Sequence, residues 1–240
     1  MTTDEEVADA SAAGHWERAP GAAAYRRARE NLTALLLAYP EAAGLPVPAC
    51  PGWTVADVVG HLVEVGRSFA DREGVDLWLV PHRRAEGLAG PLEEWAQLEG
   101  PIAGVLGGPF ELRHAMLTMD VFTHELDVRV ALGEPVPDGH PSYPGSIDLV
   151  VRGLANSVRA HGVPALRLVA PGAEWVAGDG EPAVTVSAHR HDLLRSLTGR
   201  RTAEQIAALE WSAPPERWLP VFGWGPFTVP QTATERPIGG

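Results

Sequence analysis

Three side chains in the first half of the chain have the types and spacing of a metal site. Asp120 and His124 are four residues apart in a predicted helix, so both lie on one helix face with Cβ atoms roughly 6 Å apart. His61 lies in the apolar stripe of an earlier predicted helix, where a buried imidazole needs a polar partner. Two imidazoles and one carboxylate commonly bind zinc or another divalent metal, and three protein ligands leave positions for water or substrate.

Two further residues, Asp127 and Cys50, are candidates for a role in chemistry. Asp127 lies about one helical turn beyond His124, and we expect it to orient one of the ligands by a hydrogen bond. Cys50 precedes a predicted helix start, where a thiolate would be stabilised and could act as a nucleophile. A cysteine bracketed by prolines is more typical of packing, and we favour that interpretation.

Each of the three candidate ligands also has an ordinary explanation. A lone histidine in an apolar stripe is more often a hydrogen-bonded core residue than a ligand. A carboxylate and a histidine at positions i and i+4 usually form a solvated pair worth a few tenths of a kcal/mol. The metal site is therefore a hypothesis that depends on His61, Asp120 and His124 meeting in space.

The elements that must position these residues are mostly helical. Thr54 begins the helix that contains His61, and Asp57 three residues later completes a capping box with Asp in place of Glu. Apolar periodicity predicts five helices in this half of the chain, over residues 22–39, 54–69, 91–106, 110–132 and 147–161.

The period of the pattern changes after Gly162. Residues 133–146 are rich in Pro and Gly and form the best candidate linker. Later segments rich in Val, Trp and Thr predict short strands at residues 166–170, 174–177 and 183–187, followed by helices at 189–197 and 202–209. We therefore predict a helical domain over residues 18–161 and a small α/β domain with a loose tail over residues 162–240.

Composition excludes several classes of function. The 240-residue chain has a net charge of −12, and all 19 of its basic residues are arginine, so it lacks the lysine that Schiff-base, pyridoxal-phosphate and phosphate-loop chemistry require. The acidic balance argues against a nucleic-acid partner. One cysteine excludes an internal disulfide and a four-cysteine zinc site. The acidic start has no apolar signal segment, and no apolar run approaches the roughly 20 residues of a membrane span, so we expect a soluble cytoplasmic protein.

Two motifs resemble those of a known family. The segment CPGWTVADVVGHL at residues 50–62 resembles the first signature of mycothiol-dependent maleylpyruvate isomerase-like proteins, a branch of the DinB superfamily. The run Asp120-x3-His124-x2-Asp127-x3-Ala131-x-Gly133 resembles their second signature. Residues 183–187 and the pair Gly199-Arg200 resemble, more weakly, the sterol-carrier-like carboxy-terminal domain of the family.

The resemblance implies a fold, α plus α/β, in which a DinB-like four-helix bundle precedes a small sterol-carrier-like α/β domain. It implies a metal held by His61, Asp120 and His124, the same residues that spacing selects. The isomerases proper carry Glu at the position of Asp120, so the side chain at this position is one methylene shorter here. The resemblance also suggests that Arg200 faces the active cleft and, with Asp127, belongs to the catalytic residues, Arg200 holding an anionic substrate.

The function that follows is a metal-dependent isomerase or transferase using a low-molecular-weight thiol such as mycothiol. The metal would be zinc, with nickel, iron or manganese as alternatives, and the thiolate would attack a small electrophile at the domain interface. Partners are then a small-molecule substrate and a thiol, without nucleic acid or membrane; the residues that bind the thiol and the oligomeric state are not determined by sequence. Two alternatives stay open: a non-enzymatic metal- or ligand-binding module, and a thiol-independent Lewis-acid biosynthetic enzyme.

Overall fold

A computed structural model describes residues 21–71, 84–106 and 112–238. The chain divides into two compact units, Ala19–Leu149 and a second unit that contains Val150–Gly240. The boundary falls inside a long helix rather than in a loop. None of the described helices is long and apolar enough to cross a membrane.

The first unit is helical. Its helices occur in the predicted order along the chain. A short 3-10 helix, Pro40–Gly44, comes just after the first of them. The helices are α1 (Gly21–Ala38), α2 (Val55–Ala70), α3 (Ala89–Gln97), α4 (Glu99–Leu106), α5 (Leu112–Leu132) and the first part of α6 (Ser142–His161), the helix that contains the boundary.

Two predicted boundaries in this unit were wrong. The single helix expected over residues 91–106 is interrupted at Leu98, so that Pro101, which has no N–H to donate, lies in the first turn of α4, where none is needed. The linker is shorter than residues 133–146 because α6 already begins at Ser142. Pro144 is accommodated in the first turn of α6 for the same reason.

The predicted capping box at the start of α2 is confirmed. The backbone N–H of Asp57 donates to Thr54 Oγ1 at 3.3 Å, and the backbone N–H of Thr54 donates to Asp57 Oδ2 at 2.9 Å. Below this cap, the apolar stripe of α2 is buried at Val55, Val58, Val59, Leu62, Val65 and Phe69. Since α2 packs against α5, the face that carries His61 is directed at the face that carries Asp120 and His124.

The second unit contains a mixed four-stranded sheet. Its strands are β1 (Leu166–Ala170), β2 (Ala173–Ala177), β3 (Val184–Ser187) and β4 (Glu210–Trp211), in the spatial order β2-β1-β3-β4. β1 pairs in parallel with β3, in the register Leu166 to Val184, whereas β1–β2 and β3–β4 are antiparallel. The first three strands were predicted within one residue; β4, only two residues long, was not predicted.

Helices and the chain's last residues complete this unit. α7 (Arg190–Leu197) packs against β1, and α8 (Ala203–Ala207) follows it. The sequence indicated a loose tail, but in the structure one tail residue is firmly anchored: Glu235, with a side chain 4% exposed, forms ion pairs with Arg195 and Arg201. The fold is therefore a helical unit and a small mixed α/β unit; the four-helix-bundle and sterol-carrier-like assignments stay predictions.

Candidate metal centre

The three predicted ligands converge in the first unit. His61 comes from α2, and Asp120 and His124 come from successive turns of α5. His61 Nε2 lies 3.6 Å from Asp120 Oδ2, and His124 Nε2 lies 3.7 Å from Asp120 Oδ1. One ligand atom from each of the three side chains lies within 4.8 Å of those of the other two.

These separations fit a divalent ion better than they fit hydrogen bonds. An N–H···O hydrogen bond joins atoms roughly 2.7–3.2 Å apart, so both nitrogen–oxygen distances are too long. Two nitrogen or oxygen ligands at about 2.1 Å from a tetrahedral ion are about 3.4 Å apart, which is close to both distances. The donor set of two imidazoles and a carboxylate is one that zinc and related ions accept.

The centre is mostly withdrawn from solvent. The side chains of His61 and His124 are 9% and 8% exposed, and that of Asp120 is 16% exposed. Nδ1 of His61 is buried and has no hydrogen-bond partner among the described residues. Asp120 thus has the most exposed side chain of the three candidate ligands, although its Oδ2 atom is buried.

Asp127 lies where the helical spacing placed it, behind His124. Its side chain is fully buried, and Oδ2 is 3.1 Å from Nδ1 of His124. A carboxylate can only accept, so this contact favours the imidazole tautomer with its proton on Nδ1. That tautomer leaves the Nε2 lone pair directed at the centre, which is the arrangement by which carboxylates orient metal-binding histidines.

Two residues of the loop before α2 contact the centre: Trp53 and Cys50, for which the sequence favoured a packing role. The half-buried Trp53 ring packs on both imidazoles, with centroid distances of 5.1 Å to His61 and 6.0 Å to His124. Cys50 Sγ lies 3.5 Å from Asp127 Oδ2 and 4.0 Å from His124 Nδ1. The only sequence signal for either was their place in the same motif as His61.

Tyr25 lies close enough to the centre to be influenced by its charge. The pKa of Tyr25 is raised to about 12, mainly by burial and to a smaller extent by the carboxylate of Asp120. The hydroxyl oxygen accepts a hydrogen bond from Trp95 Nε1 at 3.3 Å. Tyr25 is therefore a neutral phenol at ordinary pH.

Arg200, the remaining predicted site residue, lies in the second unit just after α7. Its backbone N–H donates to the carbonyl of Arg195 at 2.8 Å, and its Nη1 donates to the carbonyl of Thr198 at 2.6 Å. Its guanidinium thus helps to satisfy the carbonyl groups at the end of α7. The part that Arg200 has in substrate binding stays a prediction.

The amino-terminal part of the first unit, residues 25–103, matches the model of a known domain family, the mycothiol maleylpyruvate isomerase N-terminal domain. The match covers about a third of the chain. The matched part includes His61, Cys50 and Trp53, whereas Asp120 and His124 follow it along the chain. No curated protein matches the chain.

Solved structures similar to this chain include a histidine-to-alanine mutant of the mycothiol-dependent maleylpyruvate isomerase, with a TM-score of 0.53 and 13% identity over 81% of this chain and 92% of that one. A second crystal structure of the mycothiol-dependent maleylpyruvate isomerase covers the same shares, with a TM-score of 0.49 and 14% identity. At this identity the likeness to the mutant concerns the fold. The family suspected from the motifs is the one that these comparisons find: residues 25–103, which include the first motif, match its amino-terminal domain, and the fold is similar to that of the isomerase mutant.

Proposed function

We propose that this protein is a metal-dependent enzyme that uses a low-molecular-weight thiol of the mycothiol type to isomerise, or to transfer the thiol to, a small electrophile. The observation that carries the proposal is the meeting of His61 with Asp120 and His124, where His61 lies in the segment that matches the mycothiol maleylpyruvate isomerase amino-terminal domain. Zinc is the metal that this ligand set favours, with nickel, iron or manganese as alternatives.

The number of candidate ligands supports a catalytic centre over a structural one. Structural zinc is usually enclosed by four protein ligands, whereas catalytic zinc has three and one open position. Around Asp120, the described residues supply three ligand side chains. This count argues against the alternative of a non-enzymatic module with a closed metal site.

Each side chain has a distinct task in this proposal. His61, Asp120 and His124 hold the ion, which when bound favours the thiolate form of a thiol whose free pKa is about 8.5. Asp127 holds His124 in the productive tautomer through the 3.1 Å contact. Trp53 covers the two imidazoles on its side and limits the access of water.

Charge and composition bear on the substrate. The chain has no lysine and its one cysteine contacts a buried carboxylate, so a nucleophile supplied by a bound thiol fits this chain better than an internal one. We propose that Arg200 binds an anionic group of the substrate, as the family resemblance implies. Addition of the thiol, bond rotation and elimination would give isomerisation; addition alone would give a transferase.

A cobalt-substituted protein tests the open position. We expect one Co²⁺ per chain, and we expect a small thiol to shift its visible spectrum and add a sulfur-to-cobalt charge-transfer band. His61→Ala is the matched control and should lose most of the metal, since it removes one of three ligands. A thiol that leaves the spectrum unchanged would indicate a closed site and a binding module.

An activity assay tests the thiol chemistry. The solved relative is named for mycothiol-dependent maleylpyruvate isomerisation, so maleylpyruvate with and without mycothiol is the first substrate pair to assay. We expect turnover to require both the metal and the thiol, and Arg200→Ala to raise KM without releasing the metal. Turnover of other substrates without any thiol would favour the Lewis-acid alternative.

A further inference from the structure

We infer that Cys50 is a positioning residue: its thiol donates a hydrogen bond to Asp127 and so fixes the carboxylate that orients His124. The inference deepens the proposed function, because it concerns the same metal centre, but it assigns a role to a residue outside the three ligands. It also gives a physical reason for a cysteine in the loop before α2.

The geometry of the contact assigns the donor. Cys50 Sγ is 3.5 Å from Asp127 Oδ2, within the range of a hydrogen bond from sulfur, and the same oxygen is 3.1 Å from His124 Nδ1. The ionised carboxylate has no proton to give, so the S–H must donate. One carboxylate oxygen thus faces two hydrogen atoms, one from the thiol and one from the imidazole.

Because Asp127 is buried, these contacts stabilise its carboxylate and fix its orientation. Its side chain is fully buried, and an ionised carboxylate away from water is strongly destabilised unless donors surround it. Every donor removed weakens the hold on the carboxylate and allows it to rotate away from His124. A thiol that donates this hydrogen bond keeps its proton, so the contact favours a positioning role for Cys50 over a nucleophilic one.

The loop that carries Cys50 holds its thiol in place. The backbone N–H of Cys50 donates to the carbonyl of Val47 at 3.0 Å, and the carbonyl of Cys50 accepts from the N–H of Trp53 at 2.9 Å. Gly52 lies between them with φ +82°, a conformation that suits glycine. One tight turn therefore places the Cys50 thiol against Asp127 and the Trp53 ring against the two imidazoles.

Two variants of Cys50 in the full-length protein test the inference. Cys50→Ala removes the donor and should weaken Zn²⁺ binding about 10-fold or more in a chelator competition, as the loss of a residue behind a metal ligand usually does. Cys50→Ser keeps a donor and should retain affinity within about 3-fold. Val47→Ala is the matched control, because it keeps the backbone carbonyl that accepts from Cys50 and removes only buried apolar volume: it should lower the midpoint of unfolding and leave the Zn²⁺ affinity unchanged.

A second measurement reports on His124 without any metal. Nitrogen-15 NMR of the metal-free protein should show His124 with its proton on Nδ1 in the wild type and in Cys50→Ser, and a mixture of tautomers in Cys50→Ala. A purely packing role would change only the unfolding midpoint, as Val47→Ala does, and would overturn the inference. Inactivity of Cys50→Ser at unchanged Zn²⁺ affinity, with a covalent substrate adduct on wild-type Cys50, would also overturn it. If the wild type bound no metal, the proposed function would fail, while the tautomer populations would still decide the role of Cys50.

Discussion

His124 uses both nitrogens of one ring, and this is the central feature of the site at the scale of residues. Nε2 faces Asp120, four residues earlier, and Nδ1 faces Asp127, three residues later. Both partners lie on the same helix, so the spacing of α5 alone brings together the two candidate ligands and the carboxylate behind His124. Only His61 must be brought from another helix.

Asparagine substitutions at the two aspartates should separate their roles. We expect Asp127→Asn to weaken metal affinity about 10- to 100-fold, because it removes the charge that orients His124 but no ligand. Asp120→Asn should weaken affinity more, because it replaces a ligand carboxylate by a neutral amide. Metal titrations of both variants make the comparison; equal losses would mean that Asp127 is itself a ligand.

At the scale of elements, a polar cluster joins α5 to α6. His140 lies just before α6, stacked on Phe122 of α5 at a centroid distance of 4.4 Å, with its Nε2 3.4 Å from Glu125 Oε2. Burial, with smaller effects of Arg129 and Arg27, lowers the pKa of His140 to about 4. Burial also raises the pKa of Glu125, although Arg129 and Asn31 donate to it. The packed state therefore favours a neutral imidazole at this joint.

Acid should weaken the folded state through His140. Its pKa is about 4 when folded and about 6.5 when unfolded, so the unfolded chain takes up the proton first as pH falls, and stability is lost between about pH 6.5 and pH 4. We expect the wild type to lose about 2 kcal/mol more than His140→Gln between pH 7 and pH 5. Glu125, whose raised pKa acts in the opposite direction, is present in both proteins. Urea unfolding at both pH values measures it, and parallel losses in the two proteins would contradict the assignment.

Two glycines of α6 offer a matched packing test. A Cβ at Gly153 would lie 1.9 Å from the Trp224 ring, whereas a Cβ at Gly145 would meet nothing within 4 Å. We expect Gly153→Ala to destabilise the protein by about 1–3 kcal/mol and to change the tryptophan fluorescence as the ring is displaced. Gly145→Ala should be neutral or stabilise by up to about 1 kcal/mol, since alanine favours helix. Similar behaviour of the two variants in urea unfolding would show that Trp224 does not pack on Gly153.

At the scale of the whole molecule, the last residues of the chain are tied to the second unit by charge. Arg195 donates to both oxygens of Glu235 at 2.7 and 2.8 Å, and Arg201 also donates to Glu235. Burial alone would raise the pKa of Glu235, but the two guanidinium groups hold it below its usual value. A residue near the end of the chain thus compensates two cations that are 0% and 1% exposed.

Removing the negative charge of Glu235 should destabilise the folded protein. We expect Glu235→Gln to lower the free energy of unfolding by about 3–5 kcal/mol, because it removes a negative charge that pairs with two buried guanidinium groups. Glu216→Gln is the matched control on an exposed glutamate and should change stability by less than about 0.5 kcal/mol. Denaturant titrations of both proteins provide the numbers, and a near-neutral Glu235→Gln would show that the tail is not held by this pair.

Truncation tests whether the predicted first domain suffices for metal binding. His61, Asp120 and His124 all precede residue 161, so a chain ending at His161 should stay helical and bind one divalent ion. Its turnover should be lost, because Arg200 is absent, and its melting temperature should fall. Circular dichroism, metal analysis and the maleylpyruvate assay measure the three properties. Full turnover by the shortened chain would rule out a catalytic role for Arg200.

Local sequence determined most of what is local in the structure. The capping box at Thr54, the i, i+4 pair of Asp120 and His124, and the position of Asp127 follow from helical geometry within a few residues. Strands β1 to β3 could be predicted because their runs of Val, Trp and Thr are also local features of the sequence. The interruption at Leu98 could not be predicted with certainty, since proline is tolerated both in the first turn of a helix and after its end.

Contacts between residues distant in the chain were decided by packing. Cys50 meets Asp127 across 77 positions, and Glu235 meets Arg195 across 40. His61 and Asp120 come together because α2 packs on α5, and Trp53 covers both imidazoles because a tight turn directs it there. No spacing rule joins such pairs: their meeting depends on how apolar faces of separate elements are buried together. The candidate ligands could be predicted from the sequence. Their geometry and the proposed roles of Cys50 and Trp53 could be inferred only from the folded structure.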